Sequence, residues 1–518
     1  MTNAAFARTT LEAIWKEVLG DAYASGTHDM SFFEFGGSSI QLLELSRRIM
    51  AAFDVKIPLR QLFEFSTIEQ QVSLVEGLRG TGAEEVPPPA RGGARPTAHG
   101  DRALVPQQAV KLRRLKTSSG GRRVFAALRV DGSFDPHRLF DAFRAVVTSR
   151  DALCGTFAWR EGEPVWRTLP AQDMRFEAPH VEAVSDEDEA LAYLAGQAER
   201  ELAPWEGQLA RLSVARVDET THYVLMVVSH LAVDGWSLGV LLDQLAQEYS
   251  GAAADVADLP SFYDWAEHYN SQIAERGGMA GVVRDWREYL GPPPYQRGTP
   301  MPPAVPGAER GCTKAYVRLD AATTQLLRRA AARHDATVFS LLVAALHRQE
   351  SDGSRHDLQY STATSVRHEL GSEHIAGLLS DARVLVRCVS APDTPAAAAL
   401  VETERSRRQA LGLLAPPYRT LRAHMGEDVL DESTTPYVAL NPAWLSTPRK
   451  MGSAIATPAP LTAPEDYPKY VQYWWTDEGE QLVCTLRVPS DRFTPGQADA
   501  LLRRTVDSTL AFARACDT

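Results

Sequence analysis

Tyr223-Val224-Leu225-Met226-Val227-Val228-Ser229-His230-Leu231-Ala232-Val233-Asp234-Gly235-Trp236-Ser237 is the stretch on which the fold of most of this chain turns. Its first six residues are all apolar and mostly β-branched or aromatic, which reads as a strand buried on both faces. Leu238, Leu241, Leu242 and Leu245 then recur at helical spacing. His230 thus falls in a loop between a core strand and a helix, where scaffolds place reactive side chains. Upstream, residues 211–217 read as a second strand, and Asp218-Glu219-Thr220 as the turn joining the two. Farther on, residues 321–334 and 338–347 carry helical patterns, whereas 382–388 and 481–488 read as strands. The mixture points to α/β or α+β architecture.

The loop carries three residues with chemical possibilities. A neutral imidazole at His230 is poised near neutral pH to accept a proton from an attacking nucleophile or to hydrogen-bond the species formed. Asp234, four residues on in a tight loop, is not free to serve as its partner; pairing with an arginine elsewhere would lock the loop's shape instead. Gly235 allows either a close approach or a positive φ. On spacing alone, a satisfied structural histidine is the more ordinary reading.

The first hundred residues are of another kind. Thr10 precedes Leu11, Ile14, Trp15, Val18 and Leu19, the stripe of an amphipathic helix. Asp29-Met30-Ser31-Phe32-Phe33-Glu34-Phe35-Gly36-Gly37-Ser38-Ser39-Ile40 follows, and an apolar-periodic segment from Ile40 to Phe53 comes next. The glycine pair clears the approach to Ser39, and the helix start offers free N–H groups to a phosphate. Helix capping by Ser38 or Ser39 is the plain alternative. Pro58-Leu59-Arg60-Gln61-Leu62-Phe63 reads as a short helix, and Ser66-Thr67-Ile68-Glu69 opens another toward Leu78. Four helices are therefore expected over residues 1–78. Residues 79–103, rich in proline and glycine, cannot bury a face and read as a semi-flexible tether.

The 518 residues suffice for about three domains. A net charge of −12 argues against nonspecific nucleic-acid binding. Five cysteines without CxxC spacing suggest neither a disulfide framework nor a metal site. No run of about 18 apolar residues and no leader pattern is present, so neither a membrane nor secretion is expected and a cytoplasmic location follows.

Residues 8–78 resemble a peptidyl carrier protein of nonribosomal peptide synthetases, carried by Asp29, Phe32, Phe33, Gly36, Gly37, Ser39 and Ile40. The resemblance implies that Ser39 bears 4′-phosphopantetheine, attached by a separate phosphopantetheinyl transferase. Residues 104–518 resemble a condensation domain of the same synthetases, a relative of chloramphenicol acetyltransferase. Its His-His-x-x-x-Asp-Gly signature reads here as Ser229 to Gly235, with the second histidine kept as His230. Further matches are Ser149-Arg150-Asp151-Ala152-Leu153 with Thr156-Phe157, Tyr263-Asp264-Trp265-Ala266, Trp286 to Leu290, Ser365-Val366-Arg367, Gly377 to Asp381 and Pro417 to Leu421. It implies two acetyltransferase-like lobes in a V, over residues 104–275 and 276–518. His230 would lie in a tunnel between them as the catalytic residue, and Asp234 would be salt-bridged to Arg367.

By the same resemblance, the reaction is amide formation between the acyl thioester on Ser39, as donor, and the amine of an aminoacyl group on a downstream acceptor carrier. An upstream adenylation or condensation module would load the donor. Holding both arms in one tunnel makes the encounter effectively intramolecular; His230 either removes the proton or orients the amine and stabilises the tetrahedral intermediate. Three departures stand out: Ser229 for the first histidine, where it supports structure or widens the tunnel, Asp151-Ala152 for His-Glu, and Ser380-Asp381-Ala382 for Val-Asn-Thr. They leave open a specialised domain that dehydrates, cyclises or hydrolyses the tethered residue, and a non-catalytic recruitment platform. Tyr470, Tyr473, Trp474 and Trp475 are candidates for the channel wall or the core.

Overall fold

The computed structural model describes residues 3–19, 67–80, single positions between 32 and 65, and 101–518 apart from 116–122, 253–258, 293–299, 352–355, 366, 368–371, 427–434, 443–447, 462–467 and 479. In the carrier region α1 (Asn3–Leu19) and α2 (Ile68–Gly80) pack through Leu11, Trp15, Val72 and Val75. The indole Nε1–H of Trp15 donates to the Gln71 side chain at 2.9 Å, and the ring meets Phe32 edge-on at 5.2 Å. Helix α1 begins seven residues before the Thr10 expected to precede it, because the alanine-rich start favours helix without showing an apolar stripe. The middle helices expected for this unit fall mostly outside the described residues, and so do Gly37, Ser39 and residues 81–100 of the tether; positions 45, 46, 48, 49, 52 and 53 are helical.

From residue 101 the chain forms two mixed α/β halves. In chain order the first contains β1 (Asp101–Ala103), α3 (Pro106–Leu115), β2 (Arg123–Asp131), α4 (Pro136–Ser149), β3 (Gly155–Arg160), β4 (Glu163–Thr168), β5 (Val181–Ala183), α5 (Glu187–Glu199), β6 (Ala210–Arg216), β7 (Thr221–Ser229), α6 (Gly235–Ser250), α7 (Phe262–Glu275) and α8 (Met279–Leu290). The second contains β8 (Cys312–Arg318), α9 (Ala321–Ala332), α10 (Val338–Glu350), β9 (Leu358–Ser365), β10 (Ser380–Cys388), α11 (Ala396–Leu411), α12 (Tyr418–Met425), β11 (Tyr437–Pro442), β12 (Arg449–Met451), β13 (Ala454–Pro458), β14 (Gln472–Asp477), β15 (Leu482–Pro489) and α13 (Pro495–Asp517).

The first six-stranded sheet has the order β12-β13-β2-β7-β6-β5, so two strands from late in the chain complete the sheet of the first half. Strand β13 pairs antiparallel with β2, Ile455 opposite Asp131 and Pro458 opposite Leu128. Strand β7, near the centre, is buried from His222 to Ser229, as its continuous apolar run demands. One face packs on α5 through Leu194, Tyr223, Leu225 and Val227; the other meets α4 and α6 through Val224, Met226 and Val228. Core membership runs past residue 275: Val282, Val283, Trp286 and Leu290 of α8, and Met451, Ala454 and Ala456 of the crossing strands, all belong to the first core.

The second sheet runs β10-β9-β11-β14-β15-β8, with α9, α10, α11 and α13 contributing to the core on one face. Strand alternation divides the aromatic cluster 470–475. Tyr473 and Trp475 enter the helix-covered core, whereas Tyr470 and Trp474 gather with Tyr437 and Ala439 on the opposite face. Leu385 of β10, opposite Ser361, is buried in the first core, so that opposite face is turned toward the first half at its β10 edge. All five cysteines are free thiols. Among the described residues no helix is long and apolar enough to cross a membrane.

Candidate active site

Strand β7 ends at Ser229 and α6 begins at Gly235, leaving five residues to reverse the chain. Two backbone bonds tighten the loop, Ala232 N and Val233 N both donating to the Ser229 carbonyl at 2.9 and 3.1 Å. Ser229 itself is buried, and its hydroxyl oxygen accepts from Leu231 N at 3.4 Å. The serine that replaces a signature histidine therefore sits inside the turn. His230 follows, partly exposed, with Nδ1 2.8 Å from the Val233 carbonyl. A carbonyl can only accept, so Nδ1 carries the proton, and in the neutral ring the lone pair lies on Nε2.

Asp234 is fully buried and is the hub of a clamp between the halves. Arg367, from the segment after β9, grips it with two parallel bonds, Nη1 to Oδ2 at 2.8 Å and Nη2 to Oδ1 at 3.1 Å. Oδ1 also caps α6 by accepting from Ser237 N at 2.8 Å, and Oδ2 accepts from Leu379 N at 3.0 Å and Ser380 N at 2.8 Å. Burial pushes this carboxyl up, but Arg367 and the hydrogen bonds outweigh burial and hold it at about 2. Its carboxylate thus serves the architecture of the clamp. Asp234 N donates to the Gly377 carbonyl at 3.2 Å, and the Ser237 hydroxyl lies between Asp234, Arg367 and Gly377.

Two glycines of this region have different reasons. Gly235 is not in the left-handed region, so the positive φ considered above does not occur, and a Cβ built there meets no heavy atom within 4 Å. Its bareness clears space beside the loop. At Gly377 a Cβ would stand 2.0 Å from the Phe262 ring, so the backbone must pass there without a side chain. Phe262 is in turn fixed by Asp151, whose carboxylate accepts from the Ser261 hydroxyl at 2.7 Å, Phe262 N at 3.1 Å and Tyr263 N at 3.0 Å. The Asp151 departure is a cap on the start of α7. Arg150, buried beside it, donates to the Gln244 side chain at 2.7 Å and the His374 carbonyl at 3.0 Å, and burial pulls it down to about 10.

Sequence reasoning missed Ser237, whose amide and hydroxyl join the clamp; its signal is the spacing Asp-x-x-Ser at a helix start. It also missed helix α3, which supports the loop from behind. Gln108 Nε2 donates to the Leu231 carbonyl at 3.0 Å, and Lys111 Nζ to the His230 carbonyl at 3.2 Å. The side chain of Asp381 lies outside the described residues. Among the described residues no group of three His, Cys, Asp or Glu side chains is placed to hold a metal ion.

A buried carboxylate–guanidinium clamp that binds two α/β halves and presents a histidine beside their junction is the architecture of a two-lobed acyl-transfer domain. The family model described as "Condensation domain" matches residues 101–406, and the one described as "Phosphopantetheine attachment site" matches residues 9–75. The chain belongs to the condensation domain family, preceded by a carrier domain whose cofactor is covalent 4′-phosphopantetheine. Among curated relatives, surfactin synthase subunit 1 of Bacillus subtilis is 26% identical over 375 residues, 71% of this chain and 10% of the relative. Phosphinothricin tripeptide synthetase of Streptomyces viridochromogenes is 24% identical over 456 residues, 85% of this chain and 38% of the relative. The chain thus spans a minor part of the relatives it matches. Among solved structures, the condensation domain from monacolin K polyketide synthase aligns with a TM-score of 0.66 at 18% identity, covering 80% of this chain and 98% of that one. The X-domain from teicoplanin biosynthesis aligns at 0.65 and 21%, covering 82% and 96%. These likenesses bear on the fold, two chloramphenicol-acetyltransferase-like lobes.

Proposed function

We propose that this chain is a carrier–condensation pair that forms an amide bond between an acyl group on its own arm and an amine on another carrier. The carrier is residues 1–78, the tether 79–103 less its ends, which belong to α2 and β1, the first lobe 104–275 extended by α8 and completed by the hairpin of residues 449–458, and the second lobe the rest of 276–518. Ser39 bears the phosphopantetheine as donor, with Gly37 clearing the approach to its hydroxyl. The amine nitrogen attacks the thioester carbonyl, the tetrahedral species collapses with loss of the pantetheine sulfur, and the amine proton ends on that sulfur as thiol. His230 Nε2 orients the amine or takes its proton on the way. Asp234, Arg367 and Ser229 hold the loop, and Gly235 leaves room beside it. The partners are a phosphopantetheinyl transferase, an upstream adenylation or condensation module and a downstream acceptor carrier.

The observation that carries this reading is the Nδ1–Val233 bond, which fixes the tautomer so that the lone pair lies on Nε2 of a partly exposed ring. The test is intact-mass spectrometry of both carriers, with Ser39 loaded and an aminoacyl acceptor carrier supplied. Transfer should be abolished by Ser39→Ala and strongly reduced by His230→Ala. Undiminished transfer by the latter removes His230 from the chemistry, and a product lighter by one water identifies dehydration. A second reading, recruitment without chemistry, draws on the X-domain likeness, since that domain was solved as a complex with OxyB; it requires partner binding with no transfer even by the unaltered chain.

A further inference from the structure

Between α4 and the start of β6 lies a pocket whose lining shares no residue with the His230 loop or the Asp234 clamp. It encloses about 320 Å³, the small end of the range for ligand pockets. Phe140 and Phe143 of α4, Phe176 and Pro179 of the segment before β5, and Leu212 of β6 wall it. The rings of Phe143 and Phe176 meet edge-on, 6.3 Å apart at 87°. The gap exists because β6 has no neighbouring strand there. Strand β5 joins it only from Val214 onward, and Ser229 N donates to the Leu209 carbonyl at 2.8 Å. That bond sets a register in which the amides and carbonyls of Ala210 and Leu212, both lining the pocket, point away from β7. Among the described residues no backbone hydrogen bond joins residues 176–179 to either of them.

The charges around the pocket are unequal. Glu177 is matched by Arg200, Nη2 to Oε1 at 2.9 Å and Nη1 to Oε2 at 3.2 Å, and it accepts from Gln208 Nε2 at 3.1 Å. Arg211, buried, directs its Nη atoms to the carbonyls of Gln197, Arg200 and Glu201 at the end of α5. Arg144 is exposed and stands over the Phe176 ring, 4.9 Å from guanidinium carbon to centroid. Among the described residues its guanidinium has no hydrogen-bond or ion-pair partner. We propose that this pocket is a binding site for a small carboxylate with an aryl or short acyl body, the carboxylate on Arg144 and the body among the three phenylalanine rings. A guanidinium fork matches a carboxylate, the rings match an apolar body, and the outward amides of β6 supply further donors. The inference goes beyond the amide-forming reading and does not rest on it.

The test is isothermal titration calorimetry of the full chain with phenylacetate, and with phenylacetamide as its neutral counterpart. Phenylacetate should bind saturably at one site per chain. Replacing it by phenylacetamide, or Arg144 by Arg144→Gln, should weaken binding about tenfold, the worth of one charge-assisted hydrogen bond. Phe176→Ala should also weaken it, because a wall of the pocket is lost, whereas His230→Ala should leave it unchanged. Thermal melting checks that the variants fold, and the exposed Arg144→Gln keeps the test readable if Phe176→Ala does not. Absence of saturable binding to the unaltered chain overturns the proposal. Equal binding by Arg144→Gln, or of phenylacetamide, also overturns it, because the guanidinium then holds no carboxylate. Loss of binding in His230→Ala overturns it too, since the ligand would then occupy the site proposed for amide formation.

Discussion

Asp234→Asn is the sharpest perturbation of the clamp, because it changes no volume and leaves one oxygen in place. With that oxygen kept toward Ser237, the new NH₂ group faces Arg367 Nη1, Leu379 N and Ser380 N, three donors that each had the lost oxygen to bond. Arg367, 9% exposed, becomes a buried charge without its counterion, which costs about 3–5 kcal/mol. Two orphaned amides add about 1–3 kcal/mol each, less whatever relaxation of the segment recovers. A net loss of about 5 kcal/mol is expected, a large share of the 5–15 kcal/mol that holds a typical domain. Urea unfolding of the full chain followed by tryptophan fluorescence measures it as a lowered midpoint. Asp234→Asn combined with Arg367→Met should recover about 2 kcal/mol of the loss, since the orphan cation has gone. A single variant within 1 kcal/mol of the unaltered chain, or a double variant with no recovery, refutes the account of the clamp as a charge-compensated hub.

Gly377→Ala should lose at least about 2 kcal/mol and reduce amide transfer, since its Cβ must displace the Phe262 ring that Asp151 holds; thermal unfolding alongside the transfer assay checks both. Acid should destabilise the chain in two stages. His347, buried with Nε2 at 2.9 Å from the Ser390 carbonyl, is held below its ordinary value of 6.5 by burial, so its neutral form contributes stability above pH 6.5 that is lost as pH falls below it. Asp234 and Glu404, both lowered to about 2, contribute about 2 and about 3 kcal/mol respectively that are present above about pH 4.5 and lost as pH falls toward 2. Urea midpoints measured from pH 8 to 3 should fall in both windows, and His347→Gln should remove the upper stage alone.

The local parts of this fold were legible because they are written in periodicity. The buried run before His230 and the leucine stripe after it yielded β7 and α6 within a few residues, and the turn at Asp218 fell between β6 and β7. Resemblance, not pattern, suggested Arg367 as the mate of Asp234, for nothing in a sequence links residues 133 apart. What escaped was what distant backbone decides. Strands β12 and β13 are three and five residues long, with lysine, arginine and alanine prominent, and their strand character comes from pairing, β13 on the edge of β2 and β12 on β13. Gly377 reads as any loop glycine until Phe262 is placed against it. Lys111 reads as a solvated helix charge until the loop carbonyl above it is seen. The aromatic cluster 470–475 was ambiguous for another reason: alternate residues of one strand serve opposite faces, so the four residues divide between them.

The exchange of strands between the halves bears on how such synthetase parts can be recombined. Severed anywhere between Leu290 and Arg449, the leading fragment would expose the outer edge of β2 from Leu128 to Asp131, a row of unsatisfied amides and carbonyls next to an apolar face. Such a fragment invites intermolecular strand addition and precipitation. Any splice between two relatives that is meant to swap one lobe must therefore carry the hairpin of residues 449–458 along with the lobe it completes, although that hairpin is encoded in the other.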